Sequence, residues 1–176
     1  MKIYLIRHGE KEGDDFSSIL TEKVRRQIEI LSENIKDLDF EKIYSSSNFR
    51  SVESAEIICL ALGKNFEKLD NIREFKKDLF FEGLDNIDLI EKTYYENLIS
   101  FIDRIEKESK NVCLVMNAGI NRAIICHLLK YPLNRAITLT QGVASITELE
   151  KKEIYGKKEW CINSINKTYT RKWKNI

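Results

Sequence analysis

Val112–Met116 (VCLVM) is a run of five apolar residues that passes directly into Asn117-Ala118-Gly119 and then into a helical pattern reaching Leu129. A strand that is apolar at every position is buried on both of its faces. It therefore needs a layer above and a layer below, which helices packed on both sides of a sheet supply.

The rest of the chain contains those layers. Lys2–Ile6 is a short run of β-formers without helical period and reads as a second buried strand. Thr21 can cap a helix whose apolar positions Val24, Ile28, Leu31 and Ile35 form one stripe. Phe40–Ser45 is strand-like, and Val52, Ala55, Ile58 and Leu62 repeat the stripe before Gly63 stops it. Residues 64–85 look irregular apart from a short strand near Phe66–Ile72. A long amphipathic helix follows, marked by Ile87, Ile90, Tyr94, Leu98, Phe101 and Ile105, and Pro132 ends the helix after VCLVM. Ala144–Leu149 and Glu159–Ile165 alternate like a terminal strand pair joined through Gly156. Strands alternating with helices predict an α/β fold, three-layered, with a mostly parallel central sheet, in a single domain over residues 1–176.

Composition narrows the function classes. A formal net charge of +1 gives no electrostatic reason to expect nucleic acid or an anionic membrane surface. The Lys-rich segments near the carboxyl terminus are interleaved with glutamates and read as a solvated hairpin. No apolar stretch approaches the ~18 residues of a membrane span, and Met1–Ile6 runs into Arg7 without the apolar core of a secretory signal. Cys59, Cys113, Cys126 and Cys161 lie in apolar surroundings without metal-ligand spacing, so buried free thiols in a reducing cytoplasm are expected, with no metal site.

Four polar points fall at or near strand ends: Arg7-His8-Gly9-Glu10, Ser45–Arg50, Arg73-Glu74 and Asn117-Ala118-Gly119. In an open α/β sheet, ligands bind outside the carboxyl ends of the strands. Two arginines, a helix N-terminus and a neutral imidazole suit a phosphate, because guanidinium forks bind its oxygens bidentately and free helix N–H groups add positive charge.

LIRHGE resembles the signature of the histidine phosphatase superfamily, the phosphoglycerate mutase-like proteins. IYSSSNFRSVESAEII is similar to that family's second block, NIREF followed by FFEG to its third group, and VCLVMNAGINRAIICHLL to its fourth. The resemblance runs over residues 2–150 in order. It implies that His8 is the nucleophile that takes a phosphoryl group, and that Arg7 and Arg50 clamp the phosphate. It also implies that Glu74 protonates the leaving oxygen, with Glu82 as the alternative acid, and that no cofactor takes part. Neutral imidazole is a good nucleophile near pH 7, and a phosphoryl group on nitrogen is open to attack by water.

One departure stands out. Asn117 occupies the place of the family's second pocket histidine, and Ala118 replaces the glycine after it. Asn117 reads either as a phosphate contact, together with Ala118, or as the cap of the helix behind it. An amide brings no positive charge, and losing one such donor at a transition state costs about 10²–10³ in rate. His127 lies ten residues further along a helix, ~15 Å away, and reads as structural. Ser47 and Lys11 are departures of a peripheral kind. The expectation is a phosphomonoesterase acting on a small phosphorylated substrate; the alternative is an impaired relative that binds phosphate without turnover. A mutase is disfavoured, because mutases of this family resemble longer chains. Lys11–Ser18 and Lys76–Leu89 are expected to shape the pocket mouth.

Overall fold

The computed structural model describes residues 1–9, 20–76, 78–84 and 86–169, and of Asp78 and Glu82 the backbone alone. Six strands form one sheet. In chain order they are β1 (Lys2–Arg7), β2 (Lys42–Ser46), β3 (Phe66–Leu69), β4 (Val112–Met116), β5 (Ile146–Ile154) and β6 (Lys157–Lys167). Their spatial order is β3-β2-β4-β1-β5-β6. The pairs β2·β3, β2·β4 and β1·β4 are parallel, while β5 runs antiparallel to β1 and pairs with β6 as a hairpin. The fold is thus a mostly parallel α/β sheet covered on both faces.

The alternation within β1 and β4 builds two cores at once. Ile3 and Leu5 of β1 and Val112, Leu114 and Met116 of β4 point into one core, Tyr4, Ile6, Cys113 and Val115 into the other. The second core is closed by α1 (Glu22–Ile35) through Ile28, Leu31 and Ile35, and by α2 (Phe49–Leu62) through Ala55, Ile58 and Cys59. The first is closed by α4 (Leu89–Glu108) and α5 (Ala118–Leu128).

The helix boundaries follow from side-chain chemistry. Thr21 accepts from Val24 N at the start of α1, Asn48 from Arg50 N at the start of α2, and Asp88 from Glu91 N at the start of α4. Gly63, at φ 61°, ends α2 in the left-handed conformation that costs a glycine least.

Two features depart from the sequence reading. Within the stretch expected to be irregular, Asp78–Glu82 forms a short helix, α3, and Leu133–Thr138 forms a 3₁₀ helix after Pro132. Neither is long enough to display a period; tertiary burial of Leu79, Phe80 and Ala136 holds them. Cys59, Cys113 and Cys126 are buried free thiols as expected, but Cys161, on edge strand β6, is only half-buried. No helix among the described residues is long and apolar enough to cross a membrane.

One crevice that the connectivity opens lies between β1 and β4. β1 and β4 are adjacent and parallel, with Arg7 opposite Met116, yet β1 leads to α1 on one face and β4 to α5 on the other. Chains that leave neighbouring strands in opposite directions part at their carboxyl ends, and ligands bind there in open α/β sheets.

Candidate active site

His8 and Asn117 are the first residues beyond β1 and β4, and they meet across that crevice. The backbone continues the ladder by one bond, His8 N to Met116 O at 3.0 Å, which fixes the two side chains at the same height. His8 is 2% exposed and Asn117 is fully buried. His8 Nδ1 lies against the Gly9 carbonyl, which can only accept, so Nδ1 carries the proton. Nε2 is then the nitrogen with the lone pair. Asn117 Nδ2 donates to it at 3.2 Å, and Ser46 Oγ at the end of β2 donates to Asn117 Oδ1 at 3.3 Å.

Burial pushes the His8 imidazole down from 6.5 to about 4; the Gly9 carbonyl opposes this, and the positive charges of Arg50 and Arg7 add to it. The ring is therefore neutral at pH 7.

The arginines arrive from two directions. Arg7 is the last residue of β1, and its guanidinium donates to the backbone carbonyl of Gln141. Arg50 sits in the first turn of α2, where Asn48 Oδ1 accepts from both its backbone N–H (3.0 Å) and its Nε (3.4 Å). Arg50 Nη2 reaches Glu74 Oε2 at 3.2 Å, so the candidate clamp and the candidate acid are in contact. Ala118 opens α5, half-buried, with the free N–H groups of a first helical turn. Asn117 stands at the N-cap position of that helix, but its side chain makes no capping bond; it is committed to His8 and Ser46.

Gly9 is required by close approach. A Cβ there would fall inside contact distance of Val24 Cγ1 and 2.9 Å from Leu20 Cδ2, because α1 packs directly on the loop. Ser54 of α2 accepts from Gly9 N at 3.2 Å and donates to Arg50 O at 2.7 Å, tying this loop to the arginine's helix.

The structure thus brings His8, Asn117 and Arg50 together, with Glu74 on Arg50 and Arg7 leading into His8. His127 lies elsewhere, in the last turn of α5, where its Nε2 faces Asp103 Oδ1 on α4 at 3.0 Å. Glu10, Lys11–Ser18 and the side chain of Glu82 lie outside the described residues. The other expected part of the mouth, Lys76–Leu89, contains α3, whose Phe80 ring covers Gly119 and lies edge-on to Phe75. Among the described residues, no three histidine, cysteine or carboxylate side chains are grouped as a metal site requires.

Sequence reasoning missed Ser54 and Gln141, and it placed Ser46 in the polar stretch Ser45–Arg50 without giving it a role. Gln141 is buried, holds Arg7 through its carbonyl, and bonds Thr147 Oγ1 at 3.1 Å. Ser46 had a faint signal, as a polar residue at the carboxyl end of a buried strand; Gln141 had none.

The family model described as histidine phosphatase superfamily (branch 1) matches residues 3–98 and 92–168. The chain belongs to the histidine phosphatase superfamily. No curated protein sequence matches it. Solved structures share its fold along nearly the whole length. A mutant phosphoserine phosphatase from Entamoeba histolytica in complex with phosphoserine is 18% identical with a TM-score of 0.72, over 94% of this chain and 96% of that one. A putative alpha-ribazole-5'-P phosphatase from Escherichia coli is 16% identical with a TM-score of 0.76, over 95% and 96%. Mycobacterial hydrolase 2 is 17% identical with a TM-score of 0.76, over 98% and 93%. At these identities the likeness is one of fold. Membership of the superfamily supports a phosphatase-type function.

Proposed function

We propose that the protein is a phosphomonoesterase that works through a phosphohistidine on His8 Nε2. The observation that carries this reading is the contact between His8 Nδ1 and Gly9 O, which assigns the proton of a neutral ring to Nδ1 and leaves the lone pair on Nε2, beside Asn117 between the ends of β1 and β4. In the first step Nε2 forms a bond to phosphorus as the ester P–O bond breaks, and Glu74 gives its proton to the departing oxygen. In the second, water attacks phosphorus, the N–P bond breaks, and Glu74 takes the proton back. Arg7, Arg50 and the amides opening α5 at Ala118 offset charge on the non-bridging oxygens throughout. No metal-bound hydroxide is needed, since the ring nitrogen is the nucleophile. A small phosphorylated substrate fits this chemistry, and structural neighbours have been solved with phosphoserine and 3-phosphoglyceric acid.

A second reading has its own observation. Asn117 donates to the lone pair that must attack, and it supplies a neutral donor where the family pattern has a histidine. On that basis the protein binds phosphate without useful turnover. One experiment covers both: the purified protein is assayed against a panel of phosphomonoesters with and without EDTA, beside His8→Ala. Turnover that survives EDTA and disappears in His8→Ala, with an acid-labile phosphoryl group trapped on His8, supports the phosphatase. Phosphate binding without turnover supports the second reading, and turnover that persists in His8→Ala overturns the first.

A further inference from the structure

The hydrogen bonds around His8 all run one way, from Ser46 Oγ to Asn117 Oδ1, from Asn117 Nδ2 to His8 Nε2, and from His8 Nδ1 to Gly9 O. Ser46, Asn117 and His8 are each almost or wholly buried, so bulk water does not satisfy these atoms in turn. We propose that Ser46 is a positioning residue: its hydroxyl fixes which end of the Asn117 amide faces His8 and so keeps the Nε2 lone pair free of a proton. This rests on the reading of His8 as the nucleophile, and it gives that reading a control point on a third strand, β2.

The logic follows from donor counting. A neutral ring with Nδ1–H bound to a carbonyl presents only a lone pair at Nε2, which calls for a donor. Asn117 has a donating and an accepting end nearly equal in shape, so the ring alone does not hold the amide against rotation once Nε2 takes up a proton. The hydroxyl of Ser46 biases the choice, because a bond to Oδ1 leaves Nδ2 pointing at the ring. Without it, Oδ1 can turn to Nε2, where it would accept from a protonated ring and stabilise the non-nucleophilic form. The amide also has a second N–H, so an Asn117 held this way can serve His8 and still offer a donor to a phosphoryl oxygen. Among the described residues, the charges bearing on His8 are Arg7 from β1 and Arg50 from α2, with Glu74 on Arg50. Substituting Ser46 leaves all of them in place.

The test reads the ring directly. His8 and His127 are the only histidines, so ¹⁵N-imidazole NMR on the full chain, with His127→Gln for assignment, follows His8 alone. The wild type is expected to show the Nδ1–H tautomer with a titration midpoint near that of the buried ring. Ser46→Ala should raise the midpoint by about one pH unit and mix the tautomers. It should also lower kcat about tenfold, with KM within about twofold, and Ser46→Thr, which keeps the hydroxyl, should restore both. An Nε2–H tautomer in the wild type overturns the proposal even if Ser46→Ala does not fold. A folded Ser46→Ala with an unmoved midpoint and tautomer overturns it too. Because the NMR readout needs no turnover, a moved ring in an inactive wild type upholds the positioning role while the phosphatase reading fails.

Discussion

Arg50 Nη2 and Glu74 Oε2 lie 3.2 Å apart, an ion pair that joins the first turn of α2 to the loop after β3. The same guanidinium is the proposed clamp for a phosphate dianion, so the substrate competes with Glu74 for it. A phosphate that takes over the fork displaces the carboxylate from it. The ion pair thus holds the proposed acid beside the proposed clamp. Glu74 is substantially exposed, so the pair itself adds at most about 1 kcal/mol to stability.

Glu74→Gln should therefore discriminate between leaving groups. For an alkyl phosphate, whose alkoxide needs a proton, kcat should fall about 10²-fold or more. For p-nitrophenyl phosphate, whose phenolate leaves unaided, the loss should stay under about tenfold. Steady-state kinetics on both substrates decide it, with Glu82→Gln in parallel. Equal losses on the two substrates, or the alkyl-specific loss in Glu82→Gln, would take the acid role from Glu74.

Gly9→Ala should destabilise the fold and misplace His8, because the added methyl enters the space of Val24 and Leu20. Overpacking of this kind costs about 1–3 kcal/mol. Val24→Ala in the same chain removes the nearer obstacle, so the double variant should recover part of that loss. Urea unfolding of the two single variants and the double variant measures the coupling; strictly additive losses would mean that α1 does not press on this loop.

The uneven legibility of this chain has physical roots. The two-faced burial of VCLVM, the cap at Thr21 and the stripe through Val24 and Ile35 are local patterns, and each appears where the pattern puts it. α3 could not be read, because five residues hold no period and their helix depends on burial of Leu79 and Phe80 against distant elements. The site divides the same way. The positions of His8, Arg50 and Asn117 were legible because polar residues at strand ends and helix starts stand out against apolar runs. Ser46 and Gln141 act by orienting Asn117 and Arg7, which lie 71 and 134 residues away along the chain, and no local pattern encodes such a partnership.

His127 offers a contrast within the same helix. Its hydrogen bond with Asp103 is partly exposed and lies at the far end of α5 from Asn117. His127→Gln should change stability by about 1 kcal/mol or less and leave turnover within about twofold of the wild type. A loss of turnover matching that of His8→Ala, in a folded protein, would contradict this placement.

Acid should weaken the fold through His8. Its folded pKa of about 4 lies below the ordinary 6.5, so between those values the unfolded chain binds more protons than the folded one. Stability contributed by the neutral buried ring is complete above about pH 6.5 and is lost as the pH falls towards 4, by about 3 kcal/mol at 1.36 kcal/mol per unit. Urea unfolding from pH 7 to pH 4 should show that slope in the wild type and lack it in His8→Gln. Parallel curves for the two proteins would mean that His8 is not held neutral.

Asn117→His would put a charged donor at the place that the sequence resemblance assigns to the family's second histidine. Asn117 is fully buried between Ser46 and His8, so the larger ring should cost about 1–3 kcal/mol of stability. Against that, an imidazolium facing the phosphoryl oxygens supplies the charge that the amide lacks. By the magnitude for one such donor, turnover should rise about tenfold or more, up to about 10³. The gain should appear in kcat rather than KM, because the bond tightens as charge shifts in the transition state. It should fade as the pH passes the pKa of the new imidazole, a limb that the wild-type profile should lack. A measurable wild-type rate that improves makes the protein a slow phosphatase, and a silent wild type that wakes makes it a phosphate-binding relative one substitution from activity. A variant that folds, binds phosphate and gains nothing would mean that Asn117 does not stand in for a lost charged donor, and that its bond to the His8 lone pair is its whole role.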